Sequence, residues 1–239
     1  MKGMILSAGL GTRMYSITND KIPKPLLMIE DKPLLQYSIE LYKKHGITEI
    51  AINLHKYPEQ IKEYFGDGSK FGVKIHYSYE PELLGTGGGI KKVEDFFGNE
   101  TFIVCNADYI TNIDLSKVIA FHKEKGATAT LCVIKSYKRQ FELGEDNRVL
   151  KYVEDQTPEE LAKLNTQEKY TFAGFYVLEP EALQFLPKDK FSDSAKDLFQ
   201  SILKNNMKMY AFMIDDYFWR TVGNSEQYNQ VKKEIKDKA

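Results

Sequence analysis

Residues 1–135 alternate between short apolar runs and longer segments in which apolar side chains recur with helical spacing. This alternation is typical of βαβ units, in which helices join parallel strands and cover both faces of the sheet. The predicted strands span 2–8, 49–54, 73–79, 101–105 and 128–134, and the predicted helices span 34–45, 58–65, 88–97 and 115–125. The pattern therefore predicts an α/β fold with a mostly parallel central sheet.

Three loops of this predicted sheet have unusual compositions. Ligands of open parallel sheets bind beyond the carboxyl ends of the strands. The loops after the first and third predicted strands are rich in glycine, and the fourth strand ends in Asn-Ala-Asp at 106–108. We therefore expect the functional residues in the loops after the first, third and fourth strands.

The sequence after residue 135 is less regular. It predicts a small hairpin over 141–153, a polar surface excursion over 156–169, a strand over 170–178, a helix over 192–204, a strand over 207–214 and a closing helix over 225–236. No internal repeat and no low-complexity linker separates this part from the first. We therefore expect a single domain over 1–239, made of two halves, 1–135 and 136–239.

Composition narrows the classes of partner. The 33 lysines and arginines nearly balance the 34 aspartates and glutamates, and a net charge of -1 gives no general attraction for nucleic acid. No apolar stretch approaches the ~20 residues of a membrane span, and the N-terminus lacks the apolar core of a signal peptide. We expect a cytoplasmic protein with no nucleic-acid and no membrane partner. The cysteines, Cys105 and Cys132, are predicted to be core residues, and the scattered histidines are predicted to lie at or near the surface: His45, His55, His76 and His122.

The loop after the first predicted strand has the composition of an anion-binding site. Residues 7–13 read Ser-Ala-Gly-Leu-Gly-Thr-Arg. Small residues let backbone N–H groups form a concave site close to an anion, and Arg13 offers a planar guanidinium to phosphate oxygens. Lys24 lies between Pro23 and Pro25, which restrict the backbone around it. The pattern predicts that Arg13 and Lys24 bind phosphate.

Two known phosphate-binding motifs fit this loop poorly. A dinucleotide-binding fingerprint needs a third glycine where the sequence has Met14, and a P-loop needs Gly-Lys-Ser or Gly-Lys-Thr at the end of the loop. A tight glycine turn with a solvent-exposed arginine is the alternative that involves no ligand. The combination of Arg13 with the proline-bracketed Lys24 favours a ligand site.

Residues 5–13, together with Pro-Lys-Pro-Leu at 23–26, resemble the signature of the sugar-1-phosphate nucleotidyltransferases. The resemblance implies the Rossmann-like, GT-A-like α/β fold of that family, with a nucleotide-binding half at 1–135 and a sugar-phosphate-binding half at 136–239. It implies that the glycine loop holds the nucleotide, that Arg13 binds its phosphates, and that Lys24 contacts the reacting phosphates, which makes both residues catalytic candidates. The residues that it places at the nucleotide in this part of the chain are Leu6, Ala8, Gly9, Gly11, Thr12, Arg13 and Lys24.

The loops after the third and fourth strands extend the resemblance. Four glycines in five residues, at 85–89, disfavour a helix or strand interior. The segment resembles the family's Glu-x-x-Leu-Gly-Thr-x-Gly sequence, which implies that Gly85, Thr86 and Gly87 contact the base; a flexible glycine turn is the alternative. Asp108 resembles the family's catalytic aspartate that binds Mg²⁺, an ion that prefers oxygen ligands; an acidic turn cap is its alternative.

The match is weaker in the second half. Residues 171–178 resemble the strand on the sugar side, where Gly174 lets the sugar approach, and Glu154 resembles a glutamate that binds sugar hydroxyls. However, Asp155 replaces the lysine that follows this glutamate in the family, and Thr221 replaces the second metal carboxylate. Mg²⁺ would then rest on Asp108, phosphate oxygens and water.

The resemblance implies an enzyme that condenses a nucleoside triphosphate with a sugar 1-phosphate and releases pyrophosphate, with Mg²⁺ as its cofactor. The motifs look most like those of enzymes that combine GTP or UTP with a mannose-like hexose 1-phosphate or a heptose 1-phosphate. Two alternatives stay open: a catalytically weakened or regulatory homologue that binds nucleotide sugars, and a nicotinamide-dependent dehydrogenase. The sequence leaves the oligomeric state open, a homo-oligomer included.

Overall fold

The structure is a computed structural model that describes residues 1–135, 141–152 and 170–236. The strands within these ranges are β1 (Lys2–Leu6), β2 (Met28–Ile29), β3 (Lys32–Pro33), β4 (Glu49–Leu54), β5 (Lys74–Tyr79), β6 (Phe102–Asn106), β7 (Tyr109–Thr111), β8 (Ala129–Lys135), β9 (Phe141–Leu143), β10 (Val149–Tyr152), β11 (Tyr170–Leu178), β12 (Met209–Met213) and β13 (Trp219–Thr221).

Helices connect most of these strands. They are α1 (Tyr15–Thr18), α2 (Leu34–Lys44), α3 (Pro58–Phe65), α4 (Gly85–Lys92), α5 (Glu94–Phe97), α6 (Leu115–Lys125), α7 (Gln200–Lys204) and α8 (Ser225–Lys236). A π-helical stretch, Ser194–Phe199, leads directly into α7. Short 3₁₀ turns lie at Thr12–Met14, Lys24–Leu26, Ser69–Phe71, Glu145–Asn147 and Pro180–Phe185. Among the described residues, no helix is both long enough and apolar enough to span a membrane.

The chain divides into two compact units. The first consists of Met1–Leu83, Val104–Ile113 and the described residues from Tyr217 onwards. Its strands lie in the order β6-β1-β4-β5, and β4 runs parallel to both β1 and β5. Two small antiparallel pairs, β2 with β3 and β7 with β13, belong to the same unit. This arrangement brings the carboxyl ends of β1, β4 and β5 together.

Helix α2 shows how the sequence forms this first unit. Leu35, Ile39 and Tyr42 are spaced for one helical face, and each of them is fully buried. The Tyr42 hydroxyl donates a hydrogen bond to the carbonyl of Met4 over 3.0 Å, which ties the helix to β1. The last turn carries two lysines, which favour a helix C-terminus, and Gly46 follows.

The second unit contains the described parts of Leu84–Ile103 and Asp114–Asp216. Here β11 pairs antiparallel with both β8 and β9, β9 forms a hairpin with β10, and β12 runs parallel to β8. The register between β11 and β8 shifts between Phe172 and Tyr176. Gly174 lies inside this shift with a φ of 83°, a conformation that glycine adopts without strain.

The predicted α/β class with a mixed, mostly parallel sheet is confirmed. Most predicted elements are present with bounds within two residues, including the hairpin from residue 141 onwards. Two predicted helices differ: 88–97 is divided into α4 and α5, and 192–204 begins as a π-helix. Asp193 caps this π-helix by accepting from the backbone N–H groups of Ala195 and Lys196. The single domain and its two ligand-binding halves, 1–135 and 136–239, stay predictions.

The cysteine prediction is confirmed, and one histidine prediction is wrong. Cys105 and Cys132 are free and fully buried, and burial raises the pKa of the Cys105 thiol to about 12. His122 is only 1% exposed instead of lying near the surface. Its ring nitrogens lie 2.8 Å from Thr130 Oγ1 and 3.1 Å from Glu179 Oε1. These two partners satisfy the ring, so a polar residue is accommodated on the inner face of α6.

Candidate active site

The glycine loop is anchored at its far end by an apolar side chain. It leaves β1 at Leu6 and ends in the turn Thr12–Met14, where Met14 is fully buried. Met14 belongs to an apolar cluster that also contains Leu27, Ile29, Leu34, Ile110, Val222, Tyr228 and Val231. Gly9 and Arg13 are exposed between these ends. Residue 14, which would be glycine in a dinucleotide-binding motif, therefore fixes the loop to the core.

The near end of the loop is held by a chain of buried polar groups. The backbone N–H of Ser7, just after β1, donates to Asn53 Oδ1 in β4 over 2.7 Å. Asn53 Nδ2 donates in turn to Glu80 Oε1, just after β5, over 2.8 Å. Asn53 is 2% exposed and Glu80 is wholly buried. This chain joins the carboxyl ends of three neighbouring strands, so the loop leaves the sheet in one defined direction.

Lys24 and Asp108 form an ion pair. Pro23 is extended, with φ of -65° and ψ of 141°, and a 3₁₀ turn begins at Lys24. Lys24 Nζ lies 2.6 Å from Asp108 Oδ2, and the two side chains are 14% and 26% exposed. Pro23 and Pro25 are buried, which holds the backbone on both sides of the lysine. The two residues that the sequence predicts at the reacting phosphates are thus in direct contact.

The turn that carries Asp108 is fixed by backbone hydrogen bonds on either side. The N–H of Ala107 donates to the carbonyl of Leu6 over 3.0 Å, and the N–H of Val222 donates to the carbonyl of Asp108 over 2.8 Å. Ala107, the residue before this aspartate, is itself buried. The carboxylate therefore projects from a rigid turn.

Thr221 lies beside this turn. It pairs with Tyr109, the residue after Asp108, in the antiparallel ladder between β13 and β7. Arg13 approaches the same place, because Arg13 Nη1 and Thr221 Oγ1 each lie 3.7 Å from the position that a Cβ atom would take on Gly223. The neighbourhood of Asp108 therefore contains a guanidinium and a neutral hydroxyl.

A small cleft in the first unit is lined by part of the glycine loop and by Lys24, but not by Arg13. Gly9, Gly11 and Lys24 line it, and so do two residues that the sequence analysis did not identify, Lys56 and Tyr57. Both residues follow β4, which is the second predicted strand. The sequence prediction placed functional residues only after the first, third and fourth strands. The rule that ligands lie beyond the carboxyl ends of parallel strands applies to β4 as well and was the available signal.

The glycine segment at 85–89 differs from its predicted structure. It forms the first turns of α4, although four glycines disfavour a helix. The carbonyl of Ser192 accepts from the N–H groups of Gly87 and Gly88 over 2.9 and 3.3 Å, and thereby satisfies two donors that a helix N-terminus leaves unpaired. The glycines are therefore explained by close packing within the second unit.

Adding a methyl group to Gly88 should destabilise the protein. A Cβ atom there would lie 2.5 Å from the carbonyl oxygen of Lys190 and 2.9 Å from Leu84 Cβ, and backbone must move to relieve such a contact. We expect Gly88→Ala to lower the free energy of unfolding by about 1–3 kcal/mol. Urea denaturation measures this change, with Lys92→Ala on the exposed side of the same helix as control. Equal stability of Gly88→Ala and wild type would contradict the packing explanation.

The remaining predicted site residues belong to the second unit or lie outside the described ranges. Thr86 Oγ1 accepts from the N–H of Ser194 over 2.8 Å, and Gly85 has a φ of 72°. Gly174 is buried within the register shift of β11. Glu154 lies outside the described residues. Contact of Gly85, Thr86 or Gly87 with a base, and of Gly174 or Glu154 with a sugar, stays a prediction.

Metal-ligating side chains are sparse. Within 1–135, 141–152 and 170–236, no group of three or more histidine, cysteine, aspartate or glutamate residues could hold a metal ion. Asp108 instead offers a single, partly exposed carboxylate. Burial raises the pKa of the neighbouring Tyr109, and the charge of Asp108 raises it further, so this phenol stays protonated. An ion at Asp108 would need most of its oxygen ligands from elsewhere.

Comparison with known proteins relates the chain to a family. The family model described as Nucleotidyl transferase matches residues 2–238. A D-glycero-alpha-D-manno-heptose 1-phosphate guanylyltransferase of Campylobacter jejuni is 35% identical over 238 residues, which cover 95% of this chain and 97% of that protein. A UTP--glucose-1-phosphate uridylyltransferase of Synechocystis is 34% identical over 250 residues, which cover 96% of this chain but only 62% of the relative.

Solved structures share the fold. The crystal structure of HddC from Yersinia pseudotuberculosis superposes with a TM-score of 0.80 at 25% identity, covering 98% of this chain and 99% of that one. The match to the family model extends over residues 2–238, nearly the whole sequence. The resemblance first indicated by residues 5–13 and 23–26 is therefore confirmed, and the chain belongs to the nucleotidyl transferase family, together with the sugar-1-phosphate nucleotidyltransferases.

Proposed function

We propose that this protein joins a nucleoside triphosphate to a sugar 1-phosphate. An oxygen of the sugar phosphate attacks the α-phosphorus, the bond from that phosphorus to the bridging oxygen of the β-phosphate breaks, and pyrophosphate leaves. A phosphate monoester is already nucleophilic at neutral pH, so no protein nucleophile is needed. Catalysis then depends on positioning two polyanions and neutralising their charge. The observation that carries this proposal is the Lys24–Asp108 pair beside the glycine loop.

The cationic residues have distinct proposed roles. Lys24 binds the α-phosphate and the acceptor phosphate, while Arg13 binds the departing pyrophosphate. The ion pair with Asp108 neutralises Lys24 in the free protein. Phosphate oxygens would offer the ammonium group a second partner, so the pair would loosen when substrate arrives. Gly9 and Gly11 line a cleft together with Lys24, and their backbone N–H groups are the proposed donors to phosphate oxygens.

Asp108 could serve as the one carboxylate ligand of a Mg²⁺ ion whose other ligands are phosphate oxygens and water. Its carboxylate is partly exposed at the end of a rigid turn, and Mg²⁺ commonly binds through one or two carboxylates together with substrate phosphates and water. When bound, the ion neutralises phosphate charge. Lys24 contacts Oδ2 of this carboxylate, so the ion would either bind Oδ1 beside the ammonium group or compete with it for Oδ2.

For the substrates, we propose a class of nucleotide and a class of sugar phosphate instead of a single pair. We propose GTP or UTP as the nucleotide, and a mannose-like hexose 1-phosphate or a heptose 1-phosphate as the acceptor. The guanylyltransferase from Campylobacter jejuni supports a heptose phosphate, because that relative matches along 97% of its own length. The uridylyltransferase from Synechocystis supports UTP and a hexose phosphate.

A substrate grid tests this function. ATP, GTP, UTP, CTP and dTTP are each combined with glucose, mannose and heptose 1-phosphates in the presence of Mg²⁺, and pyrophosphate release is recorded. At least one pair should turn over. Nucleotide or nucleotide-sugar binding with no pyrophosphate from any pair would instead indicate a regulatory homologue, and the proposed function would be wrong.

The threonine at 221 allows a gain-of-function test. Thr221 pairs with the residue after Asp108, so an aspartate there adds a second carboxylate near the first. We expect Thr221→Asp to lower the Mg²⁺ concentration for half-maximal turnover roughly tenfold, because metal affinity depends on ligand charge. Thr221→Asn is the matched neutral control. If the new aspartate paired with Arg13 and did not bind the metal, Thr221→Asp and Thr221→Asn would have the same Mg²⁺ dependence. That result would contradict the expectation.

A further inference from the structure

Lys56 connects the loop after β4 to the segment that separates Arg13 from Lys24. Its ammonium group forms an ion pair with the Asp20 carboxylate and donates to the Tyr15 hydroxyl, 3.0 Å away. Lys56 Nζ also lies 4.7 Å from the centre of the Tyr15 ring, within the range of a cation–π interaction. One side chain thus contacts two points of the segment.

Two neighbours of Lys56 reinforce this connection. The Tyr57 hydroxyl donates to the backbone carbonyl of Asp20, and Gln60 Nε2 donates to the backbone carbonyl of Lys21 over 3.0 Å. The contacts reach side chain and main chain, so they restrain the path of the segment as well as the direction of its side chains. We call this set the loop clamp; its members are Tyr15, Asp20, Lys56, Tyr57 and Gln60.

The backbone on both sides of the loop clamp adopts the left-handed conformation. Asn19, Asp20 and Tyr57 have φ values of 47°, 51° and 51°. Asparagine and aspartate adopt this conformation readily, and Asn19 ends α1 with it, whereas it is unusual for a tyrosine. The Tyr57 hydroxyl donates to the carbonyl of Asp20, which ties this unusual residue to the segment.

The loop clamp ends close to the reacting centre. Only Ile22 and Pro23 separate the Lys21 carbonyl, which Gln60 holds, from Lys24. Lys56 and Tyr57 line the same cleft as Lys24. Resting on the function proposed above, we propose that Lys56 is a positioning residue: through Asp20 and Tyr15 it fixes the segment that places the Lys24 ammonium group against the phosphates.

A direct role of Lys56 as a phosphate ligand explains the contacts less well. Besides its ion pair with Asp20, the ammonium group of Lys56 donates to the Tyr15 hydroxyl and lies over the rings of Tyr15 and Tyr57, whereas Lys24 has Asp108 as its ion-pair partner among the described residues. The hydrogen bond to Asp20, followed by the one to Tyr15, raises the pKa of Lys56, so the ammonium group stays protonated.

Four variants test the positioning role: Lys56→Met, Asp20→Asn, the double variant and Lys56→Arg. Lys62→Met, which removes an exposed lysine of α3 that pairs with Glu59, is the control. Lys56→Met and Asp20→Asn should each lower kcat roughly ten- to hundredfold, because small displacements of a catalytic group have effects of that size. KM for the nucleotide and the urea midpoint should stay near the wild-type values. The double variant should be no slower than either single variant, and Lys56→Arg should recover most of the rate.

A second experiment measures the mobility of residues 15–24 and does not depend on turnover. Amide hydrogen exchange over residues 15–24, and the rate at which Lys24 is acetylated, should both rise in Lys56→Met and Asp20→Asn but not in Lys62→Met. Unchanged exchange and labelling would overturn the proposal even if the wild type is an active enzyme. Raised exchange and labelling, in a wild type that turns over no substrate pair, would keep the loop clamp and reject the proposed function instead.

One kinetic pattern would also overturn the positioning role. If Lys56→Met raised KM for the nucleotide while Asp20→Asn left it unchanged or lowered it, Lys56 would bind phosphate directly. Lys56→Met also removes the contacts with Tyr15, so it should have the larger effect. Both single variants must nevertheless lower kcat and leave KM unchanged for the loop clamp to stand, because each removes the same ion pair.

Discussion

Lys24→Ala should lower turnover roughly 100- to 1000-fold, because removing one aligned charge-stabilising group costs about 2.7–4 kcal/mol of barrier. The variant should remain folded. The ion pair that it removes keeps some solvent access, with side chains 14% and 26% accessible, so its loss should cost between the about 1 kcal/mol of a surface pair and the about 3–5 kcal/mol of a buried one. Steady-state pyrophosphate release measures the rate, and urea denaturation measures the stability.

The effect of Lys24→Ala must be separated from a general loss of positive charge. Lys70→Ala removes an exposed lysine of the first unit that has no proposed contact with substrate, and it should match the wild type. Lys24→Arg keeps the charge but changes its shape, so only partial activity is expected. A folded Lys24→Ala variant with wild-type turnover would remove Lys24 from the mechanism.

Asp108→Asn should weaken the response to Mg²⁺ more than it weakens nucleotide binding. Asparagine keeps the shape of the side chain but removes the negative charge that would hold the cation. Changes in outer-shell partners already cost about 10–100-fold in metal affinity, so the half-maximal Mg²⁺ concentration should rise at least about tenfold. Calorimetric titration of Mg²⁺ into the protein–nucleotide complex provides a reading independent of turnover. Asp95→Asn, at an exposed position, is the control.

Combining the two variants measures how far the pair acts as a unit. Lys24 and Asp108 are in contact, so the effects of Lys24→Ala and Asp108→Asn should not be additive. The double variant should be only slightly slower than the slower single variant.

An unchanged Mg²⁺ titration in Asp108→Asn would exclude Asp108 as the metal ligand.

Elements that depend on local sequence could be predicted closely. The strand Glu49–Leu54, the helix Leu115–Lys125 and the strand Tyr170–Leu178 have the predicted bounds. In each, an apolar pattern is bounded by residues that stop the element, such as Gly126 after α6. The predicted start of α4 was wrong because its glycines depend on a distant partner. The carbonyl of Ser192, which accepts from Gly87 and Gly88, is more than a hundred positions away in the sequence.

In the candidate site too, contacts between residues that are distant in the sequence could not be predicted. Arg13, Lys24 and Asp108 could be identified because they lie in short motifs of the family. The direct contact of Lys24 with Asp108 could not, because 84 positions separate them and each was assigned a separate role. His122 was misplaced for a similar reason: the partner that makes its burial tolerable, Glu179, is 57 positions away.

The polar chain from Ser7 through Asn53 to Glu80 has a thermodynamic consequence. The first amide of the loop is held in place before any nucleotide binds. Part of the loop's conformational entropy is therefore lost when the chain folds, and less has to be lost when a nucleotide binds. Preorganisation of this kind favours rapid, rigid-body docking of the ligand over an ordering transition in the loop.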